Sequence, residues 1–171
     1  VAKSVNFGLL YGMGSKKLAD TVGISTKEAK SIIESYFEHF SSVKSYFEEI
    51  KLGAKKEGFV TTLLGRRRYF DFEKANGMQY AMFERESINT LFQGSAADLI
   101  KLSMNKIHEI YKNREDIKML LQIHDELIFE VKEDMAEQFE KEIKDIMQNI
   151  TPLKVPLVCN GAIAKSWKEL K

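Results

Sequence analysis

Three groups of residues have types and spacings that could do chemistry. The first is His124-Asp125-Glu126, inside the stretch Lys118 to Lys132, KMLLQIHDELIFEVK. Apolar residues alternate with others on both sides of this polar interruption, the pattern of two strands meeting at a tight acidic turn. Such a ribbon offers adjacent carboxylates on a stiff backbone. That suits a divalent cation, because hard cations take oxygen ligands. A solvated hairpin turn has the same composition, and for a lone Asp-Glu pair it is the commoner case.

The second group is Lys3, Phe7 and Tyr11, at four-residue steps in VAKSVNFGLLYG. On a helix they share one face. A cation followed by two aromatics can hold a phosphate at one end and a base or sugar farther along. A partly buried helix with a snorkelling lysine explains the same spacing more simply. The third group is Arg85, Asn89 and Gln93, again four apart. This row of hydrogen-bonding side chains suits a DNA minor groove, whose acceptors at purine N3 and pyrimidine O2 are nearly alike for every base pair. An ordinary polar helix face has the same row.

The elements that must position these residues follow from periodicity and punctuation. Val1 to Gly12 reads as a helix, and Lys16 to Val22 as a short one stopped by Gly23. Ser25 and Glu28 form a capping box that opens a helix with an apolar stripe through Ile32, Ile33, Tyr36, Phe37 and Phe40. Ser41 or Ser42 caps the next helix, with Gly58 as its stop. Phe59 to Phe72 is β-prone around Gly65, as an irregular hairpin or extended loop, and it carries Arg66, Arg67 and Arg68. After the Asn76-Gly77 turn the pattern is helical to Tyr111. The small residues Gly94-Ser95-Ala96-Ala97 should allow a close helical crossing. Beyond the acidic hairpin, Glu133 to Ile150 reads as an amphipathic helix and Val155 to Ala164 as a last strand, with Pro156 at its start or edge.

The 171 residues are 44% hydrophobic and 30% charged with a formal net charge of +1, the balance of a globular chain with no global basic field. Local charge is less even: Lys51 to Arg68 is basic, and Glu133 to Asp145 is mostly acidic. One cysteine, Cys159, excludes an internal disulfide framework. No apolar stretch approaches a membrane span, and no signal-peptide pattern opens the chain, so a cytoplasmic location with no membrane partner is expected. Walker-type phosphate loops, zinc patterns and serine-nucleophile elbows are absent.

Taken together, these segments resemble the C-terminal part of a family A DNA polymerase, the DNA polymerase I type. Lys3 to Gly12, KSVNFGLLYG, is similar to the family's motif B; Gln93 to Asp98, QGSAAD, to a second signature; and Gln122 to Glu126, QIHDE, to motif C. Their order and intervals agree across essentially the whole chain. The resemblance implies α+β architecture: a helical fingers portion in residues 1–77, then a palm portion in 78–171 with an incomplete antiparallel sheet and packed helices. It implies template-directed nucleotidyl transfer to a primer 3′-hydroxyl by a two-metal mechanism with Mg²⁺. Lys3, Asp125 and Glu126 would be catalytic, with Asp125 the metal ligand. Lys3, Phe7 and Tyr11 would bind the deoxynucleoside triphosphate, and Arg85, Asn89, Gln93 and His124 the primer-template DNA. The family's motif A aspartate and a motif B arginine four residues before Lys3 fall outside this sequence. Alone, the chain could therefore be a non-catalytic DNA- or nucleotide-binding module, and an exposed palm edge should make it self-associate or leave Leu120 to Val131 partly disordered.

Overall fold

The computed structural model describes residues 2–170, with the backbone alone at residues 2–4 and 7. The chain is α+β: α1 (Ala2–Leu10), α2 (Ser15–Val22), α3 (Thr26–His39), α4 (Ser41–Glu57), β1 (Phe59–Thr61), β2 (Arg67–Tyr69), α5 (Gly77–Tyr111), β3 (Ile117–Ile123), β4 (Glu126–Val131) and α6 (Ala136–Gln148). It divides into two compact units, residues 1–95 and 96–171. The division falls inside α5.

In the first unit, glycine stops set the helix ends. Gly12 adopts φ 78°, and beyond it the Met13 N–H donates to the Gly8 carbonyl at 2.8 Å while the Gly12 N–H donates to Leu9 at 3.1 Å. These are the paired bonds that satisfy the last carbonyls of a helix. The Ser25–Glu28 capping box forms as expected, with the Glu28 N–H donating to Ser25 Oγ at 3.2 Å and the Ser25 N–H donating to Glu28 Oε2 at 2.9 Å. The expected serine cap on α4 does not form. A single residue, Phe40, separates α3 from α4 and caps the latter with its carbonyl, so Ser41 is already helical.

Leu9, Leu18, Ala19 and Ala29 form one core. Phe47, Ile50, Ala54, Val60, Phe70 and Ile88 form another, which seats the β1–β2 hairpin on α4 and α5. The loop of that hairpin docks on α5: the Leu63 N–H donates to Ser95 Oγ at 2.9 Å, and buried Thr62 lies against Gly94. A Cβ on Gly94 would stand 2.7 Å from Thr62 Cγ2. The small residues at Gly94-Ser95 therefore admit a hairpin loop, where the sequence led us to expect another helix. Asn76 caps α5, accepting from the Met78 and Gln79 N–H groups at 3.1 and 3.0 Å.

In the second unit, β3 and β4 pair antiparallel from Ile117↔Val131 to Ile123↔Glu126, with a bulge at Leu120 between Met119 and Leu121. Their inner face carries Ile117, Met119, Leu127, Phe129 and Val131 onto Ile107 of α5 and Phe139 and Ile143 of α6. The expected helix from Glu133 begins as a 3-10 turn, Glu133–Met135, and continues as α6.

The expected strand at Val155 to Ala164 is not formed. The segment passes along α6 instead. The Cys159 N–H donates to Gln148 Oε1 at 3.1 Å, and Gly161 lies so close to Glu140 that a Cβ there would meet Glu140 Oε1 at 2.2 Å. A strand exists only through ladder partners, and these backbone groups have no strand beside them among the described residues.

A polar cluster joins α5 to α6. Arg114 grips Asp116 with two bonds, at 2.8 and 2.6 Å, and the Tyr111 hydroxyl donates to Glu142. The Arg114 guanidinium pulls the Asp116 carboxyl from 3.8 to about 2. Burial, then the bond to Glu142, pushes the Tyr111 hydroxyl from 10.0 up to about 12.

Two expectations follow. Gly94→Ala should lower the melting temperature despite the roughly 1 kcal/mol helix-propensity gain of alanine over glycine, and adding Thr62→Ser, which removes the clashing methyl, should restore it. Asp116, its folded value depressed, stabilises the second unit above its ordinary value and loses that contribution as pH falls through about 2. Tyr111, its folded value raised, stabilises below 10.0 and loses its contribution as pH rises through about 12. Urea midpoints against pH should decline at both ends, and Tyr111→Phe should flatten the alkaline decline.

Candidate functional site

In the first unit, positions 3, 7 and 11 fall at α1 and its C-terminal end. The side chains of Lys3 and Phe7 lie outside the described residues. Tyr11, just past the helix, is exposed. The Arg85–Asn89–Gln93 row stands on the first half of α5. Arg85 and Gln93 are exposed and Asn89 is half-buried. The alkyl part of Arg85 packs toward Gly12, where a Cβ would stand 3.2 Å from Arg85 Cγ. The end of α1 and the start of the row are thus in contact.

Asn89 Oδ1 is buried and meets no hydrogen-bond partner. The other end of the side-chain amide carries two N–H donors. Donors are what the acceptors of a minor groove require.

The sequence did not disclose what supports this row. Arg68 reaches from β2 to α5, donating to Glu86 Oε2 at 2.7 Å and Thr90 Oγ1 at 3.3 Å, at positions beside Arg85 and Asn89. Arg67 lies over the Phe59 ring, 4.4 Å from its centroid. The docked loop at Gly94-Ser95 braces the row's far end. A glycine interrupting a helical pattern is the one sequence mark of that contact.

In the second unit, the acidic stretch is a two-residue hairpin turn, with His124 and Asp125 between paired Ile123 and Glu126. His124 has φ 53°, alone among the described non-glycine residues in taking a positive value. That left-handed conformation costs an L-residue about 1 kcal/mol. Gln122 Nε2 donates to the His124 carbonyl at 2.6 Å and ties the turn down. His124, Asp125 and Glu126 are all exposed. Glu126 is on the outer face of the ribbon, since Leu127 and Phe129 take the inner one.

The carboxyl oxygens at Asp125 and Glu126 are hard donors on a braced backbone, and so they fit part of the coordination shell of a divalent ion. Among the described residues, no three His, Cys, Asp or Glu side chains converge to complete such a shell. No helix of the described residues is long and apolar enough to cross a membrane.

A helix bearing the Lys-Phe-Tyr spacing, a donor row and an acidic hairpin tip thus occur in one chain. Residues 1–169 match the family described as DNA polymerase family A, and the chain belongs to that family. It is 51% identical to a DNA polymerase I of Helicobacter pylori, over 100% of this chain and 19% of that protein. It is 39% identical to a DNA polymerase I of Pseudomonas aeruginosa, over 98% of this chain and 19% of that protein. The chain therefore spans about a fifth of the length of these relatives. Its fold is similar to that of the POL domain of Pol1 from M. smegmatis, solved in complex with DNA primer-template and dNTP. The TM-score is 0.84 at 39% identity, covering 91% of this chain and 28% of that one.

Replacing His124 by Gly should remove the positive-φ cost and raise the stability of the β3–β4 hairpin by up to about 1 kcal/mol. Slower amide exchange across Ile117 to Val131 is the readout.

Proposed function

We propose that this chain works as part of a DNA-directed DNA polymerase, extending a primer 3′-hydroxyl with deoxynucleoside triphosphates under template direction. The observation that carries the reading is the braced presentation of Asp125 at the hairpin tip, in a chain whose relatives are named DNA polymerase I. In this reading residues 1–77 are the fingers portion and 78–171 the palm portion. Lys3 pairs with the triphosphate, Phe7 lies against its sugar and base, and Tyr11 stands by the templating position. Arg85, Asn89 and Gln93 donate into the minor groove of the primer-template, and His124 stands near the primer end.

Asp125 holds a divalent ion, Mg²⁺ in our proposal, with Glu126 as a supporting acid. When bound, such ions lower the pKa of the attacking hydroxyl and stabilise charge on the transferring phosphate. A hard divalent ion would need more oxygen donors than Asp125 alone would supply. In this reading the enzyme serves DNA replication and repair in the cytoplasm.

Among the described residues β3 and β4 pair only with each other, and Leu120 and Leu121 are exposed. Unpaired edges with apolar side chains favour pairing with another copy.

Primer extension with Mg²⁺ and all four nucleotides tests the reading. The complete polymerase polypeptide containing this chain should extend a primer and fall to background with Asp125→Ala, and Phe7→Ala should weaken nucleotide selection. Extension that survives Asp125→Ala would overturn it. The 171-residue chain alone should bind DNA without turnover and sediment as more than a monomer.

A further inference from the structure

Positions 3, 7 and 11 are only as well placed as α1 is fixed in rotation about its own axis. Val5 and Leu9 bury the helix against Leu18, Ala19 and Ala29. At about 100° per residue, positions 3 and 7 lie across the axis from 5 and 9, and Asn6 lies on the flank between them. Leu10 packs toward the second core, around Phe47 and Ile88, and apolar burial of this kind is non-directional. A directional contact is made at Asn6, whose Oδ1 accepts from the Tyr36 hydroxyl at 2.7 Å. Tyr36 is itself held, with its ring edge-on to Phe37 at 5.2 Å and tilted against Phe40 at 4.9 Å.

We infer that Tyr36 is a positioning residue for nucleotide selection. Its hydroxyl sets the rotation of α1 through Asn6 and thereby the placement of backbone positions 3 and 7, and of Tyr11 at the helix end. The inference rests on the reading of those three residues as nucleotide contacts.

Tyr36→Phe keeps the ring and removes the bond. A hydrogen bond worth about 0.5–1.5 kcal/mol net corresponds to roughly a two- to tenfold effect. In the complete polymerase, Tyr36→Phe should raise KM for the incoming nucleotide by about that factor, with primer-template affinity unchanged. Amide exchange in α1 should speed up by a similar factor, while α4 keeps its protection. Because the two groups act as one contact, the Tyr36→Phe, Asn6→Ala double variant should be no worse than the more affected single variant. Unchanged KM and unchanged α1 exchange in Tyr36→Phe would overturn the inference, as would strictly additive effects. Wild-type failure to extend would count against the polymerase reading alone, since α1 exchange still decides whether Tyr36 fixes that helix.

Discussion

Everything at the acidic tip depends on the burial of Ile107, Ile117, Phe139 and Ile143 against one another. A carboxylate that is to bind an ion must be exposed, and an exposed turn on a two-stranded ribbon is marginal in water. The ribbon is held because its inner face is packed on two helices. Each fully buried aliphatic or aromatic side chain contributes about 1.5–3 kcal/mol, well above the roughly 1 kcal/mol of the left-handed His124. The packing can therefore hold a strained turn, and the Gln122 bond to the His124 carbonyl fixes which turn it is.

The donor row in the first unit is held differently. α5 carries it, and contacts to neighbouring segments define its surroundings: Arg68 on Glu86 and Thr90, the hairpin loop on Gly94 and Ser95, and Gly12 against Arg85. The Arg68–Glu86 pair is partly exposed, so it contributes little to stability after screening. Its value is in geometry. The orphaned Oδ1 of Asn89 weakens the fold, because an unpaired buried acceptor costs about 1–3 kcal/mol.

Local signals were legible in the sequence because they act over a few residues. Ser25 with Glu28, and the stops at Gly23 and Gly58, each satisfy backbone groups within a turn of themselves. The β3–β4 hairpin was legible because its alternation brackets a polar pair. What failed depended on neighbours. Val155 to Ala164 has strand composition, yet a strand is a relation to a partner, and its backbone meets Gln148 instead. Gly94 announced a close approach without naming its occupant, Thr62. Serine at 41 or 42 looked like a cap because the one-residue corner at Phe40 leaves no trace in composition. The roles proposed for Lys3, Phe7 and Asp125 rest on resemblance in motif order, since spacing alone allowed plainer readings.

The two ends of the proposed chemistry are thus secured by different kinds of force. The acidic tip rests on non-directional burial, which tolerates apolar exchange of similar volume and sets position through shape. Helix α1 combines such burial, at Val5 and Leu9 on one core and Leu10 on the other, with a directional bond at Asn6. Burial keeps a helix seated, but it constrains rotation poorly, whereas a hydrogen bond at 2.7 Å weakens steeply with misalignment. A metal ligand must first be held at a fixed distance, and for that a packed ribbon suffices. A helix that presents a cation and two aromatics to a nucleotide must be held at a fixed angle, and angle is what the Tyr36–Asn6 bond supplies.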